Sequence, residues 1–163
     1  MRVAPILIAA ALAATGCGDR GAAEPPAPTG ADPARVGAGV DDAERDVVLD
    51  WIAAINDADY ERAAGLFAPG AIVEQAVVIE LRTREQAIAF NRSLPCRAEL
   101  TDLEPVPKQP EAVLSAFRLS DGPDQRCGQG IGGGARVLFV IEDGEILEWR
   151  QLPDPLEDPD AAV

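Results

Sequence analysis

The chain has 163 residues, with Lys+Arg 14 against Asp+Glu 28, a formal net charge of −14, and no histidine. That length suits one domain with tails, and 47% hydrophobic residues supply a core. The acidity and the lack of a basic stripe argue against a nucleic-acid partner. The missing histidine removes the commonest general base near neutral pH and the commonest zinc ligand.

Met1 and Arg2 give a short positive start, and 3–14 is an apolar run too short to span a bilayer. It runs into Ala14-Thr15-Gly16-Cys17. Small residues leading into a cysteine resemble the lipobox of bacterial lipoproteins, although Ala14 stands where leucine is usual. The resemblance implies a signal peptide over 1–16 and a lipidated Cys17 as the mature N-terminus. The exported protein would then be anchored to the bacterial cell membrane through its acyl chains. The alternative is an ordinary secretory signal with an unrelated cysteine. Residues 17–40 are dominated by Gly, Ala and Pro and read as a disordered tether.

The globular domain is expected over 41–153, with an acidic, proline-broken tail over 154–163. Asp41 with Glu44 resembles a capping box. Val47, Val48, Trp51, Ile52 and Ile55 then recur at helical spacing, predicting a helix to about Asn56. Asp57-Ala58-Asp59 breaks it and caps a second helix, with Tyr60, Ala63, Ala64 and Phe67 on its buried face and Pro69-Gly70 at its end. Residues 71–81 are β-rich and fit either one bent strand or a tight hairpin. Thr83 with Gln86 forms another capping box, opening a helix that Pro95 stops. A strand over 96–106, a connection held extended by its prolines, a strand over 111–119 and a Gly-rich loop over 120–134 follow.

Residues 135–153 read as a hairpin. Asp143-Gly144 between two β-rich runs is a strong turn signal, because a two-residue type I′ turn needs positive φ twice. Regular pairing outward from it sets Ile141 opposite Ile146, Val140 opposite Leu147 and Leu138 opposite Trp149. One face then carries Leu138, Val140, Leu147, Trp149 and Gln151. The other carries Val137, Phe139, Ile141, Ile146, Glu148 and Arg150.

Two stretches resemble the nuclear transport factor 2-like superfamily, which includes the polyketide-cyclase (SnoaL-like) proteins. One is 51–71, WIAAINDADYERAAGLFAPGA; the other is 144–151, GEILEWRQ. The resemblance implies an α+β fold, a cone-shaped, curved antiparallel sheet packed on about three helices, with a pocket at the open end. It makes the 135–153 hairpin the closing wall of the cone. Trp149, Gln151, Leu138 and Tyr60 become candidate pocket residues, each also readable as plain core.

A catalytic constellation is not apparent. A His–Asp pair is impossible without histidine. The epoxide-hydrolase branch keeps an acid just after the closing Trp-Arg, where this chain has Gln151. Gly128, Gly130 and Gly133 formally match G-x-G-x-x-G, but a strand follows them rather than the helix N-terminus a dinucleotide needs. No metal site and no cofactor is expected. Cys96 and Cys127 invite a disulfide in an exported domain, closing a loop of 31 positions; two separate thiols are the alternative.

The sequence therefore reads as a membrane-tethered lipoprotein with a non-catalytic domain that binds a small apolar ligand or another protein. A SnoaL-like isomerase, cyclase or hydrolase using pocket carboxylates is the alternative. A homodimer through Val137, Phe139 and Ile141 on the sheet is a further expectation.

Overall fold

The computed structural model describes residues 37–122 and 127–153. The signal segment, Cys17, most of the expected tether and the tail over 154–163 lie outside the described residues. The elements are α1 (Asp42–Asn56), α2 (Tyr60–Ala64), β1 (Phe67–Glu74), β2 (Val78–Leu81), α3 (Arg84–Ser93), β3 (Arg97–Val106), β4 (Gln109–Ser120), β5 (Gly134–Glu142) and β6 (Glu145–Leu152), with one 3-10 turn at Gly128–Gly130 before β5.

The helices start where their caps place them. The Asp41 carboxylate accepts the Ala43 N–H at 2.9 Å, and the Asp59 carboxylate accepts the Arg62 N–H at 3.0 Å. At α3, Thr83 Oγ1 accepts the Gln86 N–H, and Gln86 Oε1 accepts the Thr83 N–H in return. Helical spacing gives α1 one apolar stripe, and Val47, Val48, Trp51, Ile52, Ala54 and Ile55 are all buried. The second helix is shorter than its pattern suggests: Phe67 opens β1 instead of closing α2. Pro69 lies within β1, where pairing with β6 shifts register between Phe67 and Ile72. Proline has no N–H to give a ladder, so an irregular stretch is where a strand tolerates it. Packing also begins before residue 41: Gly37 N–H bonds to the Leu103 carbonyl, and Val40 is buried.

The strands form one six-stranded sheet in the order β2-β1-β6-β5-β4-β3. Residues 71–81 resolve into the β1–β2 hairpin. Every neighbouring pair is antiparallel except β1 and β6, which run parallel. The expected all-antiparallel sheet is thus mixed. A parallel pair needs a long crossover, and here everything from β2 to β5 serves as one. At the free edge of β3, the Asn56 amide takes the place of a strand. Its Nδ2 donates to the Ala98 carbonyl at 2.8 Å and its Oδ1 accepts the Ala98 N–H at 2.9 Å, fastening the end of α1 to the sheet.

The Asp143-Gly144 turn forms as its sequence predicts, with φ of 52° and 80°. Glu142 faces Glu145 and Ile141 faces Ile146, but then Val140 faces Glu148. Leu147 is the extra residue of a β-bulge. Past it the expected pairing is displaced by one position: Phe139 faces Trp149, Leu138 faces Arg150 and Val137 faces Gln151. The two predicted face lists are therefore wrong beyond the bulge, since a one-residue slip exchanges faces. Trp149 joins Phe139 and Ile146 in the core, where they are 3%, 0% and 0% exposed.

The helices cover that face of the sheet. Trp51 of α1 sits at the centre of an aromatic cluster, 5.3 Å from the Phe139 ring, 6.3 Å from Phe117 and 6.1 Å from Trp149. Phe90 of α3 meets Trp149 edge-on at 5.1 Å and reaches Phe67 at 5.9 Å. Val137, Phe139 and Ile141 belong to this core, so the expected dimer surface through these three residues is corrected: they lie beneath the helices. The opposite face presents half-buried Leu114, Leu138 and Val140.

Candidate functional site

At one end of the sheet the helices and strands leave a cavity of about 260 Å³. Trp51, Ile52 and Ile55 of α1 form one wall. Phe117 and Leu119 of β4, Ala135 and Val137 of β5, and Trp149 of β6 form the other. Each sheet residue gets there by period-two alternation from the core: Phe117 follows Ser115, and Val137 precedes Phe139. Leu94, Pro95 and Ala98 close one side, where α3 hands over to β3. Gln75 and Gln151 stand at the mouth.

The Cys96–Cys127 disulfide forms, with Cα atoms 4.5 Å apart, and both residues line the cavity. The Gly-rich loop folds back to make the reach. Gly132 N–H bonds to the Leu119 carbonyl and Leu119 N–H to the Gly133 carbonyl, each at 2.9 Å. Asp121 Oδ1 accepts the Cys127 N–H at 2.8 Å. Gly130 packs against the bridge: a Cβ there would lie 3.0 Å from Cys127 Sγ and 3.5 Å from Cys96 Sγ. The glycine run thus serves close approach to a disulfide and leads into β5.

The lining is almost wholly apolar. Among the described residues no Asp, Glu, Lys or Arg borders the cavity, and no group of residues is suited to hold a metal ion. Of the buried indoles, Trp51 donates Nε1–H to Asn91 Oδ1 at 2.9 Å. Trp149 Nε1 has no hydrogen-bond partner among the described residues; its ring lies against those of Phe90 and Trp51.

Of the four residues read from the sequence, the structure places two here, Trp149 and Gln151. Leu138 is not at the cavity: the Leu147 bulge leaves it opposite Arg150, on the other face of the sheet. Tyr60 is also elsewhere, half-buried at the start of α2 with the Arg92 guanidinium 5.6 Å from its ring centre. Sequence reasoning missed Gln75, Phe117, Ala135 and Trp51 as lining residues. Trp51 reads as ordinary core from its helical spacing, and Phe117 lies in a strand over 111–119 whose faces sequence reasoning did not assign. Gln75 lies at the β1–β2 turn and has no local mark of a site.

No protein-family model and no curated protein matches this sequence. Solved structures do. A protein assigned as a polyketide cyclase from Sinorhizobium meliloti is 19% identical, with 66% of this chain and 94% of that one covered at a TM-score of 0.53. A nuclear transport factor 2-like protein of unknown function from Cytophaga hutchinsonii is 18% identical, covering 69% and 91% at 0.54. An LEH-like epoxide hydrolase from M. tuberculosis is 15% identical, covering 73% and 84% at 0.52. The architecture is an α+β cone with a cavity at its open end. It is the nuclear transport factor 2-like fold.

Proposed function

We propose that this domain binds a small, apolar molecule in the cone and does so without chemistry. The observation that carries the reading is the lining: aromatic and aliphatic side chains throughout, with only amides at the mouth. Acid–base catalysis needs a group that can take or give a proton near the operating pH, and no lining residue among those described is ionisable. At about 260 Å³ the cavity lies between the roughly 150 Å³ apolar cavity that accepts benzene and the pockets of about 300 Å³ and above that hold drug-sized ligands. One or two fused rings fill it.

The chain has two tryptophans, and both line the cavity, so intrinsic fluorescence reports occupancy. Titration with decalin, which does not absorb in this range, shifts the emission saturably in the wild type. Ala135→Phe, which extends a ring from the β5 wall into the cavity, removes that response while leaving the circular dichroism spectrum unchanged. A linear, unsaturable response overturns the reading.

We further propose that the domain is exported and held at the bacterial membrane by acylated Cys17, on the strength of the apolar run and the small residues before that cysteine. Alkyne-palmitate labelling of bacteria expressing the full chain marks the wild type and not Cys17→Ser. Equal labelling sinks the anchor.

A second reading, hydrolase, isomerase or cyclase chemistry, draws on the names of the polyketide cyclase and epoxide hydrolase that share the fold. Incubation with styrene oxide tests the hydrolase form: diol formation above the buffer rate supports it.

A further inference from the structure

The mouth of the cavity holds a pair of amides beside the end of the parallel ladder. Val73 pairs with Trp149 and Glu74 with Arg150. Gln151, two residues past Trp149 in β6, shares its face because alternate residues of a strand face the same way. Gln75 is the first residue of the β1–β2 turn, just past Glu74, where the pairing ends. Val73 and Trp149 behind them are 1% and 3% exposed. Both border the apolar cavity and also a more open recess beside it, formed with Ala76, Leu152 and Pro153. Where the β1–β6 ladder ends, buried apolar side chains thus give way to an amide from β6 and an amide from the β1–β2 turn.

We propose that Gln75 and Gln151 read the polar end of the bound molecule. The ligand class is then a neutral amphiphile: an apolar body of one or two rings and an uncharged head that both donates and accepts hydrogen bonds. The inference rests on the cavity being an apolar binding site. A carboxamide side chain offers a carbonyl acceptor and two N–H donors, so the pair complements a head with both functions. A charged head would lose hydration at the mouth without gaining a counter-charge, since no described lining residue is ionised. An anionic head is further disfavoured by the net charge of −14.

Three probes with one body separate the possibilities: 2-naphthamide, 2-naphthoate and 2-methylnaphthalene, titrated calorimetrically into the full chain. The amide binds about three- to tenfold more tightly than the methyl compound, the size of one or two net hydrogen bonds, and the carboxylate binds more weakly than either. Gln151→Leu and Gln75→Leu each shrink the advantage of the amide and leave methylnaphthalene binding unchanged or stronger, which shows that the variants are folded. If amide and methyl compounds bind equally, or if both leucine variants keep the amide preference, the head-group role is overturned and the apolar site stands. Tight naphthoate binding also overturns it. If none of the three binds, the apolar site itself fails.

Discussion

Trp51 and Asn91 bind α1 to α3 through a single buried hydrogen bond, indole N–H to amide oxygen at 2.9 Å. Asn91 is 0% exposed and spends its own N–H on the Ala87 carbonyl at 2.8 Å. Removing one partner leaves a buried donor unpaired, which costs about 1–3 kcal/mol. Asn91→Leu is expected to lower stability by that amount in urea denaturation. Pairing it with Trp51→Phe should lose less than the two single changes summed, because the orphaned donor is gone too.

The disulfide closes a loop with a sequence separation of 31. In the chain-entropy model this contributes roughly 3–4 kcal/mol. The Cys96→Ser, Cys127→Ser double variant is expected to unfold at correspondingly lower denaturant. Because both residues wall the cavity, it should also bind naphthyl probes more weakly. A reductant that lowers the wild type's denaturation midpoint without affecting the double variant checks that the bridge is responsible.

Gly130→Ala tests how closely the loop packs on the bridge. The new methyl would stand 3.0 Å from Cys127 Sγ, so loop or bridge must shift, at about 1 kcal/mol or more. The loss should shrink in the double cysteine variant, where one fixed neighbour becomes a mobile hydroxyl. An unchanged loss would assign the cost to the loop backbone.

The bulge at Leu147 can be tested by removing the extra residue. Leu147→Ala removes a half-buried side chain and is expected to cost no more than about 2 kcal/mol. Deleting Leu147 leaves Val140 opposite Glu148 and Phe139 opposite Trp149, now in plain alternation, so Trp149 stays in the core. The deletion variant should therefore keep its near-ultraviolet circular dichroism and cooperative unfolding, as Leu147→Ala does; loss of both would show that the bend of the bulge, and not only its register, is needed.

Ligand affinity should be nearly flat between about pH 5 and pH 9, because none of the described lining residues titrates in that range. Calorimetry with 2-naphthamide across that span checks it. A steep change near pH 5 would point to a carboxylate at the mouth and favour the enzymatic reading.

The sequence was legible where the cause is local. Asp143-Gly144 declares its turn because φ must be positive twice, Thr83 with Gln86 declares a helix start, and the α1 stripe declares its buried face. Cys96 and Cys127 pointed to a bridge, and the bridge is present. What failed was set by tertiary demand. The Leu147 bulge has no glycine to announce it; its effect is to bring Trp149 beside Phe139 under α1, a relationship between residues that local pattern cannot weigh. That one shift moved Leu138 off the cavity and buried the residues expected to face a partner. Pro69 was read as a helix stop because nothing local distinguishes that from an irregular strand. Gln151 was found at the site from the resemblance, whereas Gln75 needed the parallel β1–β6 ladder, a pairing between strands some seventy positions apart.

That ladder has a consequence for how the molecule comes together. β6 lies between β1 and β5, yet it follows every other described element in the chain. Until it is made, β1 and β2 form a two-stranded ribbon with no sheet to join, too small to hold on its own. During synthesis the domain cannot assemble progressively from its N-terminal side; the last strand is the keystone, and a chain stopped before residue 145 is left in two halves.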